Sequence, residues 1–302
     1  MGKKYQWFIF VALVLAYAAS VFLTPADPNV LHKYHISQTQ ATLINASVIV
    51  PVSVIWYVAF YGFSSIKRYA QAVRGSAEGA AFHTMAAGLL ISVMSLPLLS
   101  VITSITGHYA TLHPDALPTI TIARTYLGVI LAMLAFYLIS DGADVLANLV
   151  KNRRDKRHPQ IWTIAFIVCS SLFTWLITSH SSGGSVARSA YYLPDWLVVV
   201  TVAIPYLYIW YRGASAANAI YHYQTYVNGT LYKRSLASFS AGIAVVIGSS
   251  VFIQLVTIFS DRVNRLHLSP VLTIIYLLLI LWAVGYGLIA RGARKLKTLE
   301  DV

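Results

Sequence analysis

PVSVIWYVAFYGFSSIKRYAQAVRGSAEGAAFHTMAAGLLISVMSLPLLSVIT, residues 51–103, recurs 154 residues downstream as residues 205–257 without a gap. Twelve of the 53 aligned positions are identical: Pro51/Pro205, Ile55/Ile209, Trp56/Trp210, Tyr57/Tyr211, Ile66/Ile220, Tyr69/Tyr223, Val73/Val227, Gly75/Gly229, Ala87/Ala241, Gly88/Gly242, Ser95/Ser249 and Thr103/Thr257. Composition alone yields about four matches, so the pattern reads as an internal duplication. The same offset carries residues 6–24 onto 160–178, with Gln6/Gln160, Val14/Val168 and Thr24/Thr178 identical. At an offset of 150, ten of 24 positions agree between Tyr126–Leu149 and Tyr276–Leu299, including Gly142/Gly292 and Ala143/Ala293.

The chain is 58% apolar and 11% charged, well below the ~25% charge of a soluble domain. Apolar runs near 6–24, 41–63, 85–106, 119–140, 161–179, 194–212, 237–259 and 270–290 each approach the ~20 residues that span a bilayer. The expected fold is an all-α polytopic membrane protein. Eight transmembrane helices form two tandem, parallel four-helix repeats, because an even number of spans per copy leaves both copies in one orientation. A pseudo-two-fold then runs along the membrane normal. Residues 1–150 make the first repeat, 151–159 a basic cytoplasmic linker, and 160–302 the second repeat with a basic tail.

The net charge of +12 resolves into topology once the 22 basic residues are assigned to loops. With the N-terminus inside, 17 of them face the cytoplasm and five, Lys33, Arg124, Arg188, Arg262 and Arg265, lie on or near the outer side. This positive-inside bias places both termini in the cytoplasm of a plasma membrane. It brings the inner face against anionic headgroups, with the bilayer as first partner. Scatter over five segments argues against nucleic acid. The lone Cys169 lies inside a span, so no intramolecular disulfide forms. Lys3 and Lys4 before an apolar run resemble a signal peptide, but that run belongs to the repeated unit and is expected to be retained. Position 6 is Gln where myristoylation needs Ser or Thr.

The second span is read as a helix from about Gln40 to Val73, ending at Gly75 and projecting its polar end, Ser64–Arg74, into the cytoplasm. Its counterpart Asn218–Asn228 ends at Gly229. Pro51 and Pro205 are expected to kink the two helices at one depth. Thr84, Gly88 and Ser92 form a small-xxx-small row, echoed by Ser240, Ala244 and Gly248. Gly88, Gly242 and Gly248 are therefore expected helix-packing positions.

No Asp, Glu, Lys or His falls mid-span, which argues against a proton- or sodium-coupled transporter. The seam between repeats instead offers Ser95, Thr103, Ser249, Gln254 and Thr257 to a small neutral or amphipathic ligand. A membrane-embedded binding or permeation protein is thus the first functional expectation. The second is a non-transporting scaffold or sensor, docking a cytoplasmic protein through the two helix extensions and their Tyr221, Tyr223 and Tyr226. Asp141 and Asp144 occupy the positions of Arg291 and Arg294 in the other copy. Facing each other at the inner rim, these charges would select pairing of unlike copies. The third expectation is an outer metal site. His32, His35, His108 and His113, with Asp27 and Asp115 close in sequence, suit zinc or copper. Otherwise no cofactor is indicated. No Ser-His-Asp spacing, phosphate-binding glycine loop or paired carboxylate marks an enzyme.

Overall fold

The computed structural model describes residues 3–23, 31–32, 34–112, 117–150, 204–258 and 268–298. Every regular element among them is an α-helix: α1 (Lys3–Leu23), α2 (Gln38–Ala72), α3 (Ala77–Leu112), α4 (Leu117–Val150), α5 (Ile204–Tyr226), α6 (Thr230–Ile258) and α7 (Leu268–Thr298). The linker at 151–159, the fifth apolar run and the start of the sixth lie outside the described residues, as does His113.

Local chemistry sets the helix ends. Ser37 caps α2 in a capping box: its Oγ accepts from the Gln40 N–H at 3.2 Å, while Gln40 Oε1 accepts from the Ser37 N–H at 2.8 Å. Beyond α2 the backbone reverses at Gly75 with φ 95°, a left-handed conformation that costs glycine nothing. Ser76 Oγ then accepts from the Gly79 N–H at 2.9 Å and caps α3. The α5–α6 hairpin turns in the same way at Gly229, with φ 96°. Pro51 lies within the 35 residues of α2, and Pro205 lies in α5 beside residues outside the described ones.

Five helical segments among the described residues are long and apolar enough to cross a membrane: Gln38–Ala72, Ala77–Ile102, Leu127–Val150, Thr230–Phe252 and Leu272–Leu296. Trp7–Ala19 is a shorter apolar helix. Large apolar side chains such as Phe8, Leu43, Val50, Ile130 and Ile280 remain exposed on the outside. Lipid tails solvate such a surface as well as a protein core does.

Helices α2 to α7 close into a ring. Each packs mainly on two neighbours, in the order α2–α3–α4–α5–α6–α7 and back to α2. Helix α1 lies outside the ring, against α3 and α2. There Phe10 stacks on Phe60 at 4.7 Å, and Tyr17 lies 5.0 Å from Trp56.

The close approaches within the ring come in matched sets. A Cβ added at Gly88 on α3 would stand 2.5 Å from the Ala135 carbonyl oxygen of α4; one at Gly242 on α6 would stand 2.7 Å from that of Gly285 on α7. Gly142 on α4 meets the Ala81 oxygen of α3 at 2.5 Å, and Gly292 on α7 meets the Ser235 oxygen of α6 at 2.6 Å. In every case the partners stand 154 residues apart on α3 and α6 and 150 apart on α4 and α7. Burial follows the same correspondence: Ile66 and Ile220, Phe82 and Leu236, Met85 and Phe239, and Leu146 and Leu296 are all fully enclosed. Gly248, in contrast, has nothing within 4 Å of its added Cβ, and Ala244 is exposed. The α6–α7 contact therefore runs through Gly242, not along the Ser240–Ala244–Gly248 row. Gly248 stands six residues beyond Gly242 and so points to a different side of the helix.

Candidate functional site

The ring leaves two seams between the chain's halves, α2 against α7 and α4 against α5. On the first, the Ser47 and Tyr276 hydroxyls share a hydrogen bond of 2.7 Å, and Gly62 lets the Ala290 backbone approach within 3.2 Å of its added Cβ. Nearby, Ser92 of α3 and the buried Tyr286 of α7 join their hydroxyls at 3.3 Å. On the second seam, Arg212 of α5 reaches Asp144 of α4 at 3.8 Å and lies over the Tyr137 ring at 5.2 Å.

The residues assigned to the ligand seam distribute unevenly. Ser95 is half-buried and its hydroxyl donates to the Ser92 carbonyl at 2.9 Å. Ser249 is buried and donates to the Val246 carbonyl at 2.7 Å. Both hydroxyls thus satisfy themselves on their own helix, three residues back. The side chains of Thr103, Gln254 and Thr257 lie outside the described residues. Of the four charges assigned to the rim, Asp144 faces Arg212, not an arginine of α7, while Asp141, Arg291 and Arg294 are exposed. The ring order explains this, because α4 lies against α3 and α5, and α7 against α6 and α2.

His32 and His35 bring their rings to 6.2 Å. The His108 side chain is outside the described residues. Among the described residues no three His, Cys, Asp or Glu side chains converge as a metal site would require.

A different constellation sits where the two hairpins meet, at the end of the ring that carries Gly75 and Gly229. Glu78, in the first turn of α3, accepts at Oε1 from the Tyr69 hydroxyl of α2 at 2.8 Å and from the Tyr232 hydroxyl of α6. The Tyr232 ring stands 6.4 Å from that of Tyr69 and 6.5 Å, edge-on, from that of Tyr223 on α5. Phe82 closes the side of Tyr69 at 5.1 Å. One carboxylate thereby joins α2, α3 and α6, and the tyrosine rings extend the cluster to α5. Tyr223, read from the sequence as a docking residue, is buried in this cluster, whereas Tyr221 and Tyr226 are about half exposed, 54% and 49%.

Sequence reasoning missed Glu78 and Tyr232 because the duplication was traced through identities, and this matched pair is not identical. The available signal was a lone acid in the first turn of one copy, set against an aromatic hydroxyl in the other. No known protein family, curated protein or solved structure matches this chain.

Proposed function

We propose that the chain is a multi-pass plasma-membrane protein of two tandem, parallel four-helix units, with a pseudo-two-fold along the membrane normal and both termini cytoplasmic. The seam between the units binds or passes a small neutral or amphipathic ligand. What carries this reading is the closed ring: each half contributes three described helices, so the centre belongs to both. Folds built from parallel repeats hold their ligands in such a place. The matched glycine contacts of α3–α4 and α6–α7 support the repeat. Among the described residues, hydroxyl pairs join the halves at Ser47–Tyr276 and Ser92–Tyr286, groups that suit a neutral ligand.

Single cysteines at Ser92 and Ser95 test the seam. Both are expected to react with a small water-soluble thiol reagent, while a cysteine at the enclosed Ser249 stays protected. Complete protection at positions 92 and 95 rejects the ligand seam.

The exposed Tyr221 and Tyr226, next to the exposed Leu231, favour a second reading, a scaffold that docks a cytoplasmic protein. Aromatic groups of this kind anchor interfaces. A stoichiometric partner that co-purifies, and is lost on Tyr221→Ala with Tyr226→Ala, would establish it. For the outer histidines, metal analysis of the purified protein decides between zinc or copper and none.

A further inference from the structure

We propose that Glu78 and Tyr232 form a heterologous lock: a recognition surface on each unit whose fitting partner is a non-identical copy of that unit. The lock rests on the tandem-repeat part of the proposed function and is independent of any ligand.

The two residues are 154 apart in the chain and hydrogen-bonded to each other. That separation is the offset of the repeat, so Glu78 and Tyr232 occupy the same position in the two copies. A residue beside a two-fold axis meets its own equivalent. Two glutamates there would set like charges opposite each other with no hydroxyl at the other position to receive either, which disfavours the pairing. Two tyrosines would meet without a carboxylate to accept either hydroxyl. One of each supplies an acceptor with two donors, Tyr232 and Tyr69.

The surroundings are similar from either side, apart from Phe82 where the other half has Leu236. Tyr69 and Tyr223 are matched and identical, and both are buried beside the pair. Gly75 and Gly229 turn the two hairpins with φ 95° and 96°. Positions 78 and 232 each fall within the first turn of their helices, α3 and α6. The cluster is therefore closed under exchange. A carboxylate placed at 232 would find the Tyr223 hydroxyl where Glu78 now finds that of Tyr69, and a tyrosine at 78 would supply the second donor. Divergence at this single position makes the two units complementary and each unit a poor partner for itself.

The test is an exchange in the full-length protein, read as the unfolding temperature in detergent. Glu78→Tyr and Tyr232→Glu are each expected to lower it by about 5 °C, and the combined exchange to recover at least half of the summed loss. Additive damage in the exchange variant overturns the lock. Should the exchange variant fail to fold, Glu78→Gln and Tyr232→Phe replace it: the second substitution is expected to cost little once the first is present, and full additivity overturns the proposal. A cysteine pair at Gly62 and Ala290, which reports docking of the halves away from the cluster, separates the two ideas. A cross-link that forms alongside additive damage rejects the lock alone. Failure of the cross-link rejects the arrangement of the halves on which the lock rests.

Discussion

At Gly88 and Gly242 a backbone carbonyl of the neighbouring helix stands where any side chain would begin, 2.5 and 2.7 Å from the added Cβ. A flexible neighbour can swing aside, but a helical carbonyl moves only with its helix. Gly88→Leu and Gly242→Leu are expected to destabilise the protein by at least the ~1–3 kcal/mol of an overpacked core, with a matching drop in unfolding temperature. Gly248→Leu, facing open space, is expected to leave that temperature unchanged, and the contrast reports which side of α6 meets α7. The turn glycines act through conformation instead. Nothing lies within 4 Å of the added Cβ at Gly75, yet its φ is 95°, so Gly75→Ala is expected to cost about 1 kcal/mol in backbone strain alone.

Among elements, the two seams between halves differ in kind. The α2–α7 seam closes on the Gly62–Ala290 contact and on the Ser47–Tyr276 hydroxyl pair. Side-chain hydrogen bonds between membrane helices average about 0.6 kcal/mol, because the separated helices find other partners. Tyr276→Phe should therefore lower the unfolding temperature only slightly. The α4–α5 seam carries an ion pair at 3.8 Å whose Asp144 side chain is 47% exposed. Solvent screening holds such a pair below about 1 kcal/mol. Arg212→Gln is thus expected to be milder than Gly88→Leu, in a direct comparison of melting curves. Shape, set by glycine and enclosed aromatic rings, holds the seams more than charge does. The hairpins were legible in the sequence for the same physical reason that makes them rigid: Gly75 and Gly229 supply the only backbone that reverses there without strain. The partner of Asp144 was not legible, because ring order decides whether α4 faces α5 or α7.

For the whole molecule, the ring makes a covalent prediction. The Cβ added at Gly62 lies 3.4 Å from the Ala290 Cβ, close to the span of a disulfide. Gly62→Cys with Ala290→Cys is expected to form one on mild oxidation. A protease site inserted within 151–159 would then release two fragments on a reducing gel and none on a non-reducing gel. Two fragments under both conditions would show that α2 and α7 do not adjoin in the membrane.

The residue order alone determined that the chain is helical and apolar enough for a bilayer, where the α2–α3 and α5–α6 turns fall, and which glycines recur. Those properties follow from composition, periodicity and backbone preference, all local to the chain. Only the tertiary structure decided that six helices close a ring, that Arg212 and not Arg294 meets Asp144, and that Glu78 meets Tyr232. Asp144 and Arg212 stand 68 positions apart, Glu78 and Tyr232 154, and Gly62 and Ala290, which adjoin where the ring closes, 228. Their meeting depends on how glycine contacts and aromatic packing set the order of the helices, and no local pattern encodes that order.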